Sequence, residues 1–305
     1  MDCSDGQLHG TGVNMRKKKL NIKDMIFDIV VYTVLILITI VTFYPMWYVV
    51  VASFSTGSYI AKQGGLLFWP GDFTLQAYAM TFQHSQLFTG FRNSVMVLVM
   101  ALPINLILTT LCGYFMAENT KVLWKKPIIA MIMFTMFFSG GMIPAYLNIK
   151  SLGLYNSLWA LVLPGALSVY NANICKTAIE GIPHSLAESA YIDGAGDMSV
   201  LFRIILPLMK PTMAVLALYY GVGHWNAWFN ASIYIKDKEL QPAQNILRNI
   251  LSSQTSMTEG ADTYNAYAEA MKYGSIVIIT VPILCVYPFL QKYFTKGAMI
   301  GAVKG

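Results

Sequence analysis

Apolar residues gather in six long runs, at 26–52, 91–117, 127–147, 155–178, 211–233 and 272–291. Polar residues, glycine and proline collect between them. Each run has about the 20 residues that a helix needs to cross about 30 Å of hydrocarbon at about 1.5 Å per residue. The runs are continuous instead of alternating, and each is about twice the length of a barrel strand, so the pattern predicts helices and not a β-barrel. The fold class expected is an all-α polytopic membrane protein with six transmembrane helices. Residues 1–25 are an N-terminal tail, 26–291 the transmembrane domain with a polar loop at 180–211, and 292–305 a C-terminal tail.

Composition agrees with this reading. Hydrophobic residues make up 56% of the 305, charged residues 12%, and mean hydropathy is +0.53. A soluble domain reaches such values only by exposing large apolar patches. The net charge of +6 does not point to nucleic acid, because the lysines and arginines cluster beside the apolar runs. With both termini in the cytoplasm, two thirds of the 21 Lys and Arg fall in inner segments, among them Arg16 to Lys19, Lys125, Lys126, Arg203, Lys210 and Lys292. That bias is the usual signature of topology. The polar stretch 1–14 precedes Met15-Arg-Lys-Lys-Lys19, so Met15 is a second candidate start.

Two predicted outer segments are long. Residues 53–90 carry Gly64-Gly65 and Pro70-Gly71, which indicate an ordered loop. Residues 234–271 contain a stretch in which Ile246, Leu247, Ile250 and Leu251 share one helical face. That amphipathic helix lies either on the lipid interface or against protein.

Candidate chemistry is sparse. The four cysteines, Cys3, Cys112, Cys175 and Cys285, are dispersed without metal-ligand spacing. Neither a G-x-x-x-x-G-K-[ST] loop nor H-E-x-x-H occurs, and no serine or cysteine nucleophile has credible partners. The chain is therefore read as one that hydrolyses nothing itself, and not as an enzyme. The runs also hold almost no Asp, Glu, Lys or Arg, the groups through which ion-coupled transporters commonly work.

The informative polar insert is Glu180 to Pro211. Pro183 suits the start of a helix, and Ser185 and Glu188 have the S-x-x-E spacing of a capping box. Asp193-Gly194 supplies a turn in which glycine adopts a left-handed conformation. Asp197 is placed to cap a second short helix running toward Pro207, and Pro211 to open the fifth run. The result is a helix, a bend and a helix: a knob with Tyr191, Ile192 and Ala195 near its tip, shaped to fill a cleft in another protein. In the fifth run, Tyr219, Tyr220, His224, Trp225, Asn226, Trp228 and Phe229 mix rings that stack on sugars with an amide that bonds hydroxyls. The same residues fit an interfacial aromatic belt. Pro103 and Asn105, and Pro164 with Gly165, are helix-weakening positions, either hinges or fixed kinks.

Glu188-Ser-Ala-x-x-Asp193-Gly194-Ala195 followed by Ile204-x-Leu-Pro207 resembles the EAA motif of permease subunits in binding-protein-dependent ABC importers. Ser189 stands where the motif has alanine. The His224-Trp-Asn-x-Trp-Phe229 stretch and the C-terminal Gln291 to Gly305 are similar to the carbohydrate-uptake branch, in particular its MalG-like, YtcP-type second permeases.

The resemblance implies a MetI-like fold with a coupling helix seated in a groove of a cytoplasmic ATPase. Glu188, Ser189, Ala190, Asp193, Gly194, Ala195, Leu206 and Pro207 would form the coupling site, and Tyr220, Trp225, Asn226, Trp228 and Phe229 a substrate path. It implies a second, related permease, two ATPase subunits, an extracellular solute-binding protein and a carbohydrate cargo, an oligosaccharide. It places the chain in the cytoplasmic membrane of a prokaryote, contacting lipid and no nucleic acid. No cofactor is expected on this chain, with ATP and Mg on the partner ATPase. The alternatives are an importer of another polar solute and an ion-coupled secondary transporter.

Overall fold

The computed structural model describes residues 22–117, 123–255, 269–286 and 288. The regular elements among the described residues are helices, with no strand among them. They divide into two units, Met1–Tyr48 and Val49–Gly305.

The first unit holds most of α1 (Ile22–Ser53), 32 residues with Pro45 inside. Its hydroxyls do not need water, because Thr33, Thr39 and Thr42 donate to the carbonyls of Ile29, Leu35 and Ile38 at 2.7–2.8 Å. This back-bonding lets a threonine sit in an apolar helix.

In the second unit, α2 (Gly57–Lys62) and α3 (Gln76–Gln83) lie within the ordered loop predicted for 53–90. Gly64 and Gly65 there have φ of 61° and 106°. Next comes α4 (Leu87–Ala117), 31 residues long and the central post of the unit. It packs most extensively against α8 (Val169–Glu180), then against α12 (Lys210–Trp225). Close approach to α8 depends on Gly113, where an added Cβ would lie 2.8 Å from Cys175 Cβ and Sγ and 3.1 Å from the Lys176 amide nitrogen.

Three helices are long and apolar enough to span a membrane unbroken: Met25–Ser53, Leu87–Ala117 and α15 (Glu269–Val286). They correspond to the first, second and sixth predicted runs. The other three runs are broken, which corrects the expectation of six simple spans. In the third, α5 (Lys125–Phe137) and α6 (Met142–Ser151) meet at 115°, because Ser139-Gly140-Gly141 cannot hold a helix and Gly141 has φ 87°. In the fourth, α7 (Trp159–Val162) and α8 are separated at Pro164-Gly165. The fifth consists of α12 and α13 (Trp228–Tyr234), parted at Asn226 and Ala227.

The predicted amphipathic helix is α14 (Ala243–Thr255). Its apolar face is closed on its own chain: Ala243 and Leu247 are buried with Leu87 of α4 and Ile279 of α15. Gly90 makes room for it, since a Cβ there would overlap Ile246 and lie 3.2 Å from Ala243. That intramolecular contact replaces the lipid-interface reading.

Candidate functional site

The polar insert folds as a helix, a turn and a second helix. α9 (His184–Ile192) is followed by α10 (Asp197–Val200), a π-helical turn (Leu201–Ile205) and α11 (Leu206–Leu208), which run on as one rod, Asp197–Leu208. The rod meets α12 at 84°, and Pro211 sits in the first turn of α12 as expected.

The turn is a Schellman cap. The Gly194 amide donates to Tyr191 O at 3.0 Å and the Ala195 amide to Ala190 O at 2.9 Å, which satisfies two carbonyls at the end of α9. Gly194 has φ +84°, and a Cβ added to it would meet nothing within 4 Å, so backbone conformation and not space demands glycine. Two capping expectations are corrected. Pro183 is the N-cap of α9, which puts Ser185 inside the helix with Glu188, so no capping box forms. Gly196 caps α10, and Asp197 instead accepts from the Tyr191 hydroxyl at 2.9 Å.

Two faces result. Ala187, Ala190, Tyr191 and Ala195 pack on a core of Tyr114, Cys175, Ile179, Val200, Leu201 and Ile205, which ties the insert to the ends of α4 and α8. Tyr191 and Tyr114 share a hydrogen bond at 3.0 Å. Glu188, Ser189, Asp193 and Pro207 are exposed on the other side and Leu206 is half-buried. Ile192 stands 86% exposed at the end of α9, a large apolar side chain offered to solvent. Of the three residues read as the tip of the knob, only Ile192 points out, while Tyr191 and Ala195 hold the knob to its base.

A second arrangement lies along α4 and α12. Asn105 and Thr109 are spaced i, i+4 on α4, and Tyr220 and His224 likewise on α12, so each pair occupies one helix face. The helices run antiparallel and the pairs meet. Thr109 Oγ1 lies 2.6 Å from Tyr220 Oη, and Asn105 Oδ1 lies 3.0 Å from His224 Nε2. The Asn105 amide donates to Gly165 O and Ala166 O at 2.8 and 2.9 Å, and the Ser168 amide donates to Tyr220 Oη at 2.9 Å. The break between α7 and α8 is thus satisfied from two neighbouring helices, which is how non-helical backbone persists at membrane depth. Because both Asn105 N–H groups are committed, its Oδ1 is the acceptor and His224 carries its proton on Nε2. Pro164 and Gly165 therefore mark a pinned break. Sequence flagged Asn105 only as a weak point in a helix; its spacing to Thr109 was the signal of a polar face.

The five residues read as a substrate path separate. Tyr220 is buried and its hydroxyl committed as above. Trp225 is buried against Phe91, ring centroids 6.0 Å apart, and lines an apolar cleft of about 500 Å³ between α4, α12 and α15. Asn226, Trp228 and Phe229 are grouped at the far end of α12, with Asn226 and Phe229 exposed and Trp228 39% exposed. Asn226 Oδ1 accepts from Gln244 at 3.3 Å, the Arg248 guanidinium lies 4.8 Å from the Trp228 ring centre, and Phe229 meets Trp228 edge-on at 5.6 Å. Among the described residues no group of three or more His, Cys, Asp or Glu could hold a metal ion.

Residues 74–300 match the model of a protein family described as binding-protein-dependent transport system inner membrane component. The chain is 37% identical over 287 residues to the polygalacturonan/rhamnogalacturonan transport system permease protein YtcP of Bacillus subtilis, covering 93% of this chain and 100% of that one. It is 40% identical over 268 residues to protein LplC of the same organism, covering 87% and 90%. Among solved structures it is similar to a chain of a bacterial ABC transporter involved in import of the acidic polysaccharide alginate, at 27% identity and TM-score 0.81, over 90% of this chain and 98% of that one. This chain, whose described elements are helices with an exposed bent-helix insert and which is matched over most of its length, belongs to the family of inner membrane permease components of binding-protein-dependent ABC transport systems.

Proposed function

We propose that the chain forms half of the translocation path of an ATP-driven importer of oligosaccharides and is coupled to the ATPase through α9 and the turn at Gly194. The observation that carries this reading is the exposed face of the insert. An 86% exposed Ile192, flanked by Glu188, Ser189 and Asp193, stands on a scaffold held by Tyr191, Ala190 and Ala195. An exposed apolar anchor ringed by polar groups is what a protein groove receives. The inner face is tied to α4 and α8, so a pull on the knob reaches the spans.

In this reading a second, related permease completes the path, two ATPase subunits bind ATP and Mg and dock on residues 183–207, and an extracellular binding protein delivers cargo to the segments around 53–90 and 234–271. Both termini are cytoplasmic and the membrane is the cytoplasmic membrane of a prokaryote. Nucleotide and loaded binding protein favour different states of the permease pair, and the cycle alternates between them. Asn226, Trp228 and Phe229 offer rings and an amide to sugar at the binding-protein end. The cargo class rests on the polysaccharides named for YtcP and for the alginate transporter.

The test is uptake by the assembled importer in liposomes. Accumulation of labelled oligosaccharide that requires internal ATP and the binding protein is expected. Uptake that proceeds without ATPase under an ion gradient would return the chain to secondary transport.

A further inference from the structure

A cleft of about 550 Å³ opens between α8, α12 and α15, lined by Tyr170, Asn171, Leu218, Tyr219, Val222 and Ile283. We propose that this cleft is a subsite for one sugar ring of the transported oligosaccharide, a site that rests on the carbohydrate reading above and adds to it a binding role for this subunit within its helical bundle.

The lining has both halves of sugar chemistry. A pyranose presents C–H faces that stack on rings and hydroxyl edges that need donors and acceptors. Tyr170 and Tyr219 are 57% and 44% exposed. Neither hydroxyl has a hydrogen-bond partner among the described residues, unlike that of Tyr220 next in sequence. Asn171, itself only 5% exposed, reaches the cleft wall with an amide, while Leu218, Val222 and Ile283 make the apolar wall. The volume lies within the roughly 300–1,000 Å³ of small-molecule sites.

The neighbouring cleft at Trp225 shares Leu218, Val222 and Ile283, yet apart from the Trp225 ring every side chain lining it lacks a polar atom. A lipid chain or an apolar helix would be served by that second cleft; neither has use for two phenols and an amide.

The pinned break explains why these groups sit where they do. Ser168 caps α8, its Oγ accepting from the Asn171 amide at 3.4 Å, and its own amide is held by Tyr220. Tyr170 and Asn171 consequently occupy the first turn of a helix whose start is fixed by α12, the helix that carries Tyr219. No charged side chain is among the described residues that line the cleft. Hydrogen bonds and stacking without a buried charge hold a sugar weakly enough to release it, as a transport path requires.

The experiment uses the complete importer with its binding protein in liposomes and a labelled mixture of neutral and uronate oligosaccharides. The initial rate is read at saturating loaded binding protein, beside the melting temperature and the sugar-independent ATPase rate. Tyr170→Phe and Tyr219→Phe each keep the ring and lose one hydroxyl. Each is expected to cut the transport rate about five-fold and the double variant ten-fold or more, with melting temperature and basal ATPase unchanged. A double variant that transports at the wild-type rate overturns the subsite. So does a loss of rate that tracks an equal loss of melting temperature, which would make the cleft a packing surface for lipid or a second permease. If the wild-type importer moves no saccharide from the mixture while its ATPase responds to the loaded binding protein, the carbohydrate reading itself falls.

Discussion

Replacing Asn105 by leucine keeps the side chain's approximate size and removes every polar contact at the α7–α8 break that comes from α4. Three hydrogen bonds go: those donated to Gly165 O at 2.8 Å and Ala166 O at 2.9 Å, and the one accepted from His224 at 3.0 Å. Side-chain hydrogen bonds between membrane helices average about 0.6 kcal/mol and reach about 1.7 kcal/mol. Asn105 is fully buried, so no water replaces it, and the loss sums to about 2 kcal/mol and at most about 5 kcal/mol. Thermal unfolding of the purified complex in mild detergent reads this as a fall of about 4–8 °C, taking about 2–4 °C per kcal/mol for a chain of this order.

His224→Leu removes one of the three bonds and is expected to cost less than half as much. The double variant should be milder than the sum of the two by about 0.6 kcal/mol, because the shared bond is lost only once. Asn105→Asp is expected to be worse than Asn105→Leu, since a carboxylate faces two carbonyl oxygens it cannot donate to. An Asn105→Leu complex that melts with the wild type, or a strictly additive double variant, would refute the pinned break.

Other outcomes follow from the same geometry. Gly194→Ala, forced to φ +84°, is expected to cost about 1–2 kcal/mol, and Gly194→Pro, which also removes the N–H bonded to Tyr191 O, to abolish uptake while membrane insertion persists; normal ATP-driven uptake by the proline variant would sink the coupling assignment. Ile192→Asp at an 86% exposed position should leave the stability within about 0.5 kcal/mol of wild type yet strip the ATPase from the purified complex; retained ATPase argues against the anchor. Gly113→Ala places a methyl 2.8 Å from Cys175 and should destabilise by about 1–3 kcal/mol, and an unchanged melting temperature would show that α4 and α8 are not so close. Trp225→Ala, buried against Phe91, should lose about 3–5 kcal/mol of stability, with transport falling only as protein is lost; a selective transport defect in a fully stable variant would restore it to the sugar path.

Much of the chain was legible because its logic is local. The turn at Asp193-Gly194 could be read from two residues, since glycine's left-handed conformation is an intrinsic backbone property. The first and second runs, which hold neither Pro-Gly nor Gly-Gly, became unbroken helices. The breaks within the third, fourth and fifth runs were marked by Gly140-Gly141, Pro164-Gly165 and Asn226, but hydropathy averages over a bend and counts two helices as one. Cap positions slipped by one or two residues at Pro183 and Gly196, where the backbone chose its boundary before a side chain could.

Tertiary pairing was the part that sequence hid. Tyr220 and Trp225 look like neighbours of Asn226 and Trp228 along the chain. In the fold one faces Thr109 and the other Phe91, each a partner remote in sequence. Tyr170 and Asn171 carried no motif, and only the packing of α8 beside α12 and α15 sets them opposite Tyr219.

The proposed junction between the permease pair and an ATPase is residues 183–207. It is tested most directly by purifying a tagged copy from its native host in mild detergent and identifying by mass spectrometry everything that accompanies it. A second permease and an ATPase are predicted, with the ATPase alone lost when Glu188 and Gly194 are both replaced. A homogeneous chain without ATPase, active in liposomes under an ion gradient, would contradict the account.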